Sequence, residues 1–353
     1  MIRSELQGLR ALAVIFVIIN HAFPNYLPGG FIGVDIFFVL SGYLITLMLL
    51  ETSNKKFTTY LKDFYSRRIR RILPSALLVI LVSTIASSLL LGPVVASDTA
   101  RDGIWASLFL ANIHFNNLSI DYFQSELPLP ILQHYWSLAI EEQFYLIWPI
   151  LLYVFLRKGL PIIVGIGLVT FASLIYSIIE LINSAPTAYF GTLTRFWELG
   201  IGAILALRKI PQNRFISTTS LGLLILLAFI YSSQTQFPGV AALAVTTLTA
   251  SFIATSTSNS TIAAQPFVYV GNISYLLYLW HWPILQISRL YTEVTGLITA
   301  LLVTATFLMS ILTHHLFEKP IRYSQLLTKS NKRTLFFGLF GTSITLLTMV
   351  SLR

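Results

Sequence analysis

Arg10 and His21 stand eleven residues apart in an otherwise apolar run, and Asp35 follows in a second such run beyond a Pro/Gly turn. An imidazole can take a proton from a hydroxyl and later return it to a leaving group, and a guanidinium holds an anion. A charge kept at a bilayer centre costs roughly 2.5 to 3.5 kcal/mol, so each of these side chains is a functional candidate by default. On a helix, eleven residues cover about 16 Å, half the hydrocarbon thickness. Arg10 and His21 therefore cannot touch. One extended molecule reaches both, with its charged end at Arg10 and its reactive end at His21. A lone helical histidine is also commonly a satisfied buried group. Asp35 either orients the imidazole or is a helix-start carboxylate favoured by the dipole.

The elements that must carry these residues are set by composition. Over 353 residues, 55% are hydrophobic and 10% charged, too little polar surface to cover a water-soluble globule. An all-α, polytopic transmembrane bundle follows. The chain has no cysteine, which excludes disulfides, thiolate metal sites and a thiol nucleophile. The formal charge of +9 sits mostly in short loops between apolar runs, the positive-inside pattern, and gives no support for nucleic-acid binding. Apolar runs predict spans at about Leu9 to Phe23, Phe31 to Leu50, Ile72 to Leu91, Trp136 to Phe155, Leu160 to Ile179 and Gly191 to Leu207. They continue at Ser217 to Ser233, Pro238 to Thr255, Val268 to Ser288, Gly296 to Phe317 and Thr334 to Leu352.

Sides follow from Lys and Arg. Between Glu51 and Arg71, Lys55, Lys56, Lys62, Arg67, Arg68, Arg70 and Arg71 oppose two acids, so this segment is expected in the cytoplasm. Arg208, Lys209 and Arg214 mark the inside again, as do Lys319, Arg322, Lys329, Lys332 and Arg333. The count is eleven spans, a ten-helix core plus one C-terminal helix, with the N-terminus cytoplasmic and the C-terminus extracytoplasmic. Gly103 to Phe115 is short for a span, which leaves Gly92 to Tyr135 as an external region carrying Asp98, Asp102, Asp121 and Glu126. No metal constellation appears: the histidines are scattered and HExxH is absent.

Several blocks in order carry a resemblance. They are GLRALAV with the Arg10-to-His21 gap, PGGFIGVDIFFVLSGYLIT at Pro28 to Thr46, FYSRRIRRILP at Phe64 to Pro74 and HYWSLAIEEQFYLIWP at His134 to Pro149. RFWELGIGA at Arg195 to Ala203, ISYLLYLWHWP at Ile273 to Pro283 and FEKPIR at Phe317 to Arg322 complete the set. On these the chain resembles the acyltransferase-3 family, bacterial membrane proteins that O-acetylate cell-surface polysaccharides. The resemblance implies an acyl-CoA donor, acetyl-CoA first, reached from the cytoplasm, and an envelope-glycan acceptor reached from outside. It places the family's essential histidine at His21 and its arginine motif at Arg68 and Arg71. Together with Arg10 and Arg67 these are the candidate donor-binding residues, since the planar guanidinium fork suits phosphate.

The remaining candidates are weaker. Glu141 and Glu142 point about 100° apart on their helix, so only one faces a given cavity well; Glu142 is the preferred catalytic candidate for the acceptor or proton path. His134, Trp136, Ser137 and His281 read either as acceptor-binding groups or as aromatic interface anchors. Arg195 and Glu198, three apart, can form a structural ion pair, and so can Glu318 and Arg322. The domain reading is an acyltransferase-3 transmembrane domain over 1–323, a cytoplasmic linker and final helix over 324–353, and no SGNH domain. The motif wording is most similar to relatives in which an extracytoplasmic SGNH esterase-like domain follows, so a separate partner of that type is one expectation. The predicted location is the bacterial inner membrane, multi-pass in the lipid bilayer. A transporter or flippase whose buried charges line an aqueous path is the competing class, though no internal repeat is visible.

Overall fold

In a computed structural model, residues 3–118, 129–159, 161–208, 210–258 and 260–353 are described, and among them every regular element is helical. Asp121, Glu126 and Lys209 lie outside the described residues. The helices are α1 (Ser4–Ala22), α2 (Gly33–Glu51), α3 (Phe57–Arg71), α4 (Leu73–Leu90), α5 (Pro93–Ser107), α6 (Ala111–Asn117), α7 (Tyr135–Arg157), α8 (Ile162–Asn183) and α9 (Ala185–Phe190). They continue as α10 (Thr192–Ala206), α11 (Arg214–Ile230), α12 (Gly239–Thr255), α13 (Gln265–Tyr291), α14 (Gly296–Thr313), α15 (Lys319–Arg322), α16 (Gln325–Thr328) and α17 (Asn331–Ser351). A π-helical turn, His314–Glu318, joins α14 to α15.

Among the described residues seven stretches are long and apolar enough to cross a membrane, so the protein is a multi-pass membrane protein. The other four of the eleven expected spans are helical where expected but fall short of that standard. Helix α10 has 15 residues, and α11 and α12 have 17 each. Helix α13 is long but diluted by Asn272, His281 and Gln286. Two segments read from the sequence as connections are also ordered helix. The basic stretch after Glu51 forms the amphipathic α3, and the region after Gly92 contains α5 and α6.

Two compact units divide the chain. The first takes the described residues of 1–53, 118–123 and 140–274. Its centre is the seam between α2 and α10, which glycines make unusually close. A Cβ on Gly42 would lie 1.9 Å from the Leu199 carbonyl oxygen, and one on Gly202 would lie 2.1 Å from that of Val39. Small residues of this kind let transmembrane backbones approach without a hydrophobic drive between them. Seven residues make almost two whole turns, so Asp35 shares the face of Gly42, and Arg195 that of Gly202. The glycines thus set the register at which three charged side chains meet. Helix α8 covers α10 from another side, and α12 packs on both α11 and α2.

The second unit takes the described residues of 54–117, 129–139 and 275–353. Here α17 packs along α3, α4 and α5. Pro74 opens α4 and Pro93 opens α5, each where the missing N–H is not needed. Arg70 of α3 donates to the Thr334 hydroxyl at 3.3 Å and the Leu327 carbonyl at 3.4 Å, tying the basic helix to the base of α17.

Candidate functional site

In the first unit, α1 and α2 form a tight hairpin. The Asn20 amide donates to the carbonyls of Leu27 at 3.1 Å and Pro28 at 2.9 Å, closing the Pro/Gly turn over the last turn of α1. His21 sits on that last turn, half-buried, where the helix dipole favours a cation. Arg10 is buried at 8% exposure, two-thirds of a helix away.

Asp35 is fully buried and faces Arg195, not His21. The Arg195 Nη1 donates to Asp35 Oδ1 at 2.9 Å and to Glu198 Oε1 at 2.6 Å, and all three side chains are inaccessible. The Nε donates to the Tyr189 carbonyl at 3.3 Å, and the guanidinium lies over the rings of Tyr189, Phe237 and Phe38 at 5.2, 5.3 and 5.8 Å. Asp35 Oδ2 accepts no hydrogen bond from any described residue. The close α2–α10 seam thus delivers a cation to this carboxylate in the first turn of its helix. The Arg195–Glu198 pair is formed, with Asp35 as its third member.

Glu141 and Glu142, both half-buried, stand on the part of α7 belonging to this unit. Glu141 accepts from the Tyr145 hydroxyl at 2.9 Å, one turn on, so that carboxylate is already engaged. The same stretch of α7 is anchored by Trp148, whose ring N–H donates to Thr46 of α2 at 2.9 Å.

In the second unit, Arg68 is buried, whereas Arg67 is only half-buried yet its Nε and Nη2 are shielded and have no hydrogen-bond partner among the described residues. Buried donors in that state call for an acceptor. Lys55 pairs with Asp63, which also accepts from Asn331 at 2.7 Å; the Lys55 contact holds the Asp63 carboxyl below its usual range. That lysine serves the fold.

Also in the second unit, His134, Ser137 and His281 come together with Tyr278. The Tyr278 hydroxyl donates to the His134 carbonyl at 3.0 Å and so accepts from Ser137 at 2.6 Å. The His281 Nδ1 lies 2.6 Å from the Tyr278 carbonyl and 3.2 Å from that of Leu277. Carbonyls only accept, so Nδ1 carries the proton and Nε2 keeps the basic lone pair. The His134 ring is 5.9 Å from that of His281, and neither of its nitrogens has a hydrogen-bond partner among the described residues. Both side-chain polar atoms of the fully buried Gln133 are in the same condition. Trp136 is fully buried beside them in sequence. Gln133 carries no signal in the sequence, where it lies just outside the block that begins at His134.

A profile described as an acyltransferase domain matches residues 3–315. The chain belongs to this acyltransferase-3 family. It is 37% identical over 348 residues to the peptidoglycan O-acetyltransferase OatA of Listeria monocytogenes, covering 90% of this chain and 55% of that relative. It is 35% identical to the putative peptidoglycan O-acetyltransferase YrhL of Bacillus subtilis and 34% identical to the O-acetyltransferase OatA of Staphylococcus aureus. In each case 90% of the chain is matched, against 54% and 57% of the relatives. The chain therefore spans about half the length of the curated relatives it matches. No solved structure matches it.

Proposed function

We propose that this acyltransferase-3 chain is the membrane part of an O-acetyltransferase that takes an acetyl group from cytoplasmic acetyl-CoA and delivers it toward a hydroxyl of an envelope glycan, peptidoglycan first. The family match across residues 3–315, with O-acetyltransferases among the relatives, carries this reading. Arg10, Arg67, Arg68 and Arg71 hold the anionic donor, and the shielded nitrogens of Arg67 fit that role. His21 is the general base: it accepts the proton of the attacking hydroxyl as the C–O bond to the acetyl carbon forms, and returns it to the thiolate as the C–S bond breaks. The Asp35–Arg195–Glu198 group positions α2 against α10. Glu142 serves the acceptor or proton path, and His134, Ser137 and His281 line the acceptor side. The glycan step is completed by this chain or by an extracytoplasmic SGNH-type partner. The location is the bacterial inner membrane.

The test is free-CoA release from acetyl-CoA by the purified chain in nanodiscs with an envelope-glycan fraction, wild type beside His21→Ala. The expected result is release by wild type and a loss of at least about a hundredfold in the variant, the scale of a general base. Binding of acetyl-CoA with the thioester left intact and a glycan moved instead would overturn the enzyme reading in favour of transport.

A further inference from the structure

At the end of the first unit where α1 begins and α10 and α12 end, a cavity of about 210 Å³ is lined by Arg3, Tyr43, Leu205, Arg208, Ile210 and Ile253. Its two charged side chains are both cations. Arg3 is held rigidly: its Nε donates to Glu5 at 2.8 Å, and its Nη2 donates to the Ser256 hydroxyl at 2.8 Å and the Ile253 carbonyl at 3.1 Å. With a further bond from Nη2 to the Ser256 carbonyl at 3.3 Å, these contacts engage Nε and Nη2 and pair the guanidinium with Glu5, leaving Nη1 without a hydrogen bond among the described residues. Arg208 is exposed and forms no ion pair with any described residue. Tyr43 supplies a phenol from α2, and α1 starts at this point with the positive end of its dipole. Two guanidinium groups and a phenol around a space of this size suit a phosphate or diphosphate, which the guanidinium fork recognises geometrically.

The helix that starts at the cavity also leads to the reacting group. Arg3, Arg10 and His21 are spaced seven and eleven residues apart. At about 100° per residue they fall within roughly 20° of one line along α1, with Arg10 about 10 Å and His21 about 27 Å beyond Arg3. Two cations, Arg3 at the N-cap of α1 and Arg10 within it, therefore lead from the cavity toward the imidazole. Arg3 and Arg208 lie at the end that the distribution of basic residues assigns to the cytoplasm.

We propose that this cavity is a phosphate-binding site that receives the diphosphate-bearing end of the acyl-CoA donor, with Arg208 and Arg3 as the charged contacts and Tyr43 as a hydroxyl donor; the assignment rests on the donor reading above. An anionic phospholipid headgroup offers the same chemistry, and the test separates the two. CoA binding to the full chain is measured in phosphatidylcholine nanodiscs for wild type, Arg208→Glu and Tyr43→Phe, beside turnover of S-acetylpantetheine, which has no diphosphate. Arg208 is exposed, so its variant leaves the packing intact. The expected result is CoA binding weakened about tenfold or more in Arg208→Glu, less in Tyr43→Phe, with acetylpantetheine turnover unchanged. Equal CoA binding by wild type and Arg208→Glu overturns the site and leaves the donor reading standing. Absence of CoA binding by wild type overturns the donor reading itself. If Arg208→Glu instead releases phosphatidylglycerol from mixed nanodiscs while binding CoA normally, the cavity belongs to lipid and the assignment to CoA is overturned.

Discussion

The charged group of the first unit and the histidine group of the second are both buried and polar, yet they are finished to different degrees. Around Arg195, one guanidinium is held by two carboxyl groups, a backbone carbonyl and three aromatic rings, and only the second oxygen of each carboxyl group, Asp35 Oδ2 and Glu198 Oε2, is left without a donor among the described residues. Around His134, two consecutive side chains, Gln133 and His134, keep four polar atoms with no hydrogen-bond partner among the described residues. A buried polar network with its bonds made rigidifies its helices, whereas orphaned buried donors and acceptors are costly and imply something that completes them. The first group is built to hold α2 and α10 in register. Under the function proposed above, the second is the group that meets the acceptor's hydroxyl groups.

The largest expected effect would break the first half of that contrast. Arg195→Met strands two buried carboxyl groups and should cost about 3–5 kcal/mol, read as a fall in the melting transition in detergent. The triple variant Asp35→Asn, Arg195→Met, Glu198→Gln should recover a good part of it, because no uncompensated charge remains. Recovery of activity along with stability would show that the group acts by position alone. Next comes Gly42→Ala. Its Cβ would meet the Leu199 carbonyl oxygen at 1.9 Å, so the α2–α10 seam must open, at a cost of about 1–3 kcal/mol.

The second half is sharpened by Gln133→Leu. If Gln133 waits for a ligand, an apolar side chain of similar size is neutral or slightly stabilising in the free protein, while transfer to glycan falls about tenfold through a raised KM for the acceptor. A large loss of melting temperature would instead make Gln133 a structural residue. The smallest effect belongs to the Lys55–Asp63 pair, which serves as a control outside both groups. Its folded carboxyl pKa is depressed by Lys55, so its contribution is present above the carboxylate's unfolded value and is lost as pH falls through the lower folded one. Lys55 is substantially exposed, so screening leaves Asp63→Asn at roughly 0.5 kcal/mol or less, measured at neutral pH and vanishing in acid and at high salt.

Much of this was legible from residue types alone. The apolar runs put α1, α2, α4, α7, α8, α14 and α17 within a few residues of where they lie, because a bilayer-length apolar helix is the strongest pattern a sequence carries. The basic character of 51–71 was legible too, but its folding into α3 was not, since charge signals a side of the membrane and says little about backbone conformation. Spacing gave the Arg195–Glu198 pair, which needs only one helix. It could not give Asp35 as their partner, 160 residues away, because that contact depends on two helices meeting at Gly42 and Gly202.

The sequence by itself determined that the chain is helical, belongs in a membrane, carries its arginines mostly between spans and keeps Arg10 and His21 about 16 Å apart on one helix. These are local properties, fixed by helix geometry and by the cost of burying polar groups in lipid. Tertiary structure alone decided that Asp35 goes to Arg195 rather than His21, that Gln133 and His134 end buried with polar atoms to spare, and that Arg3 and Arg208 share one cavity. The reason is physical: a side chain's partner is set by which helix faces it and at what depth, and that is decided by packing across the whole unit.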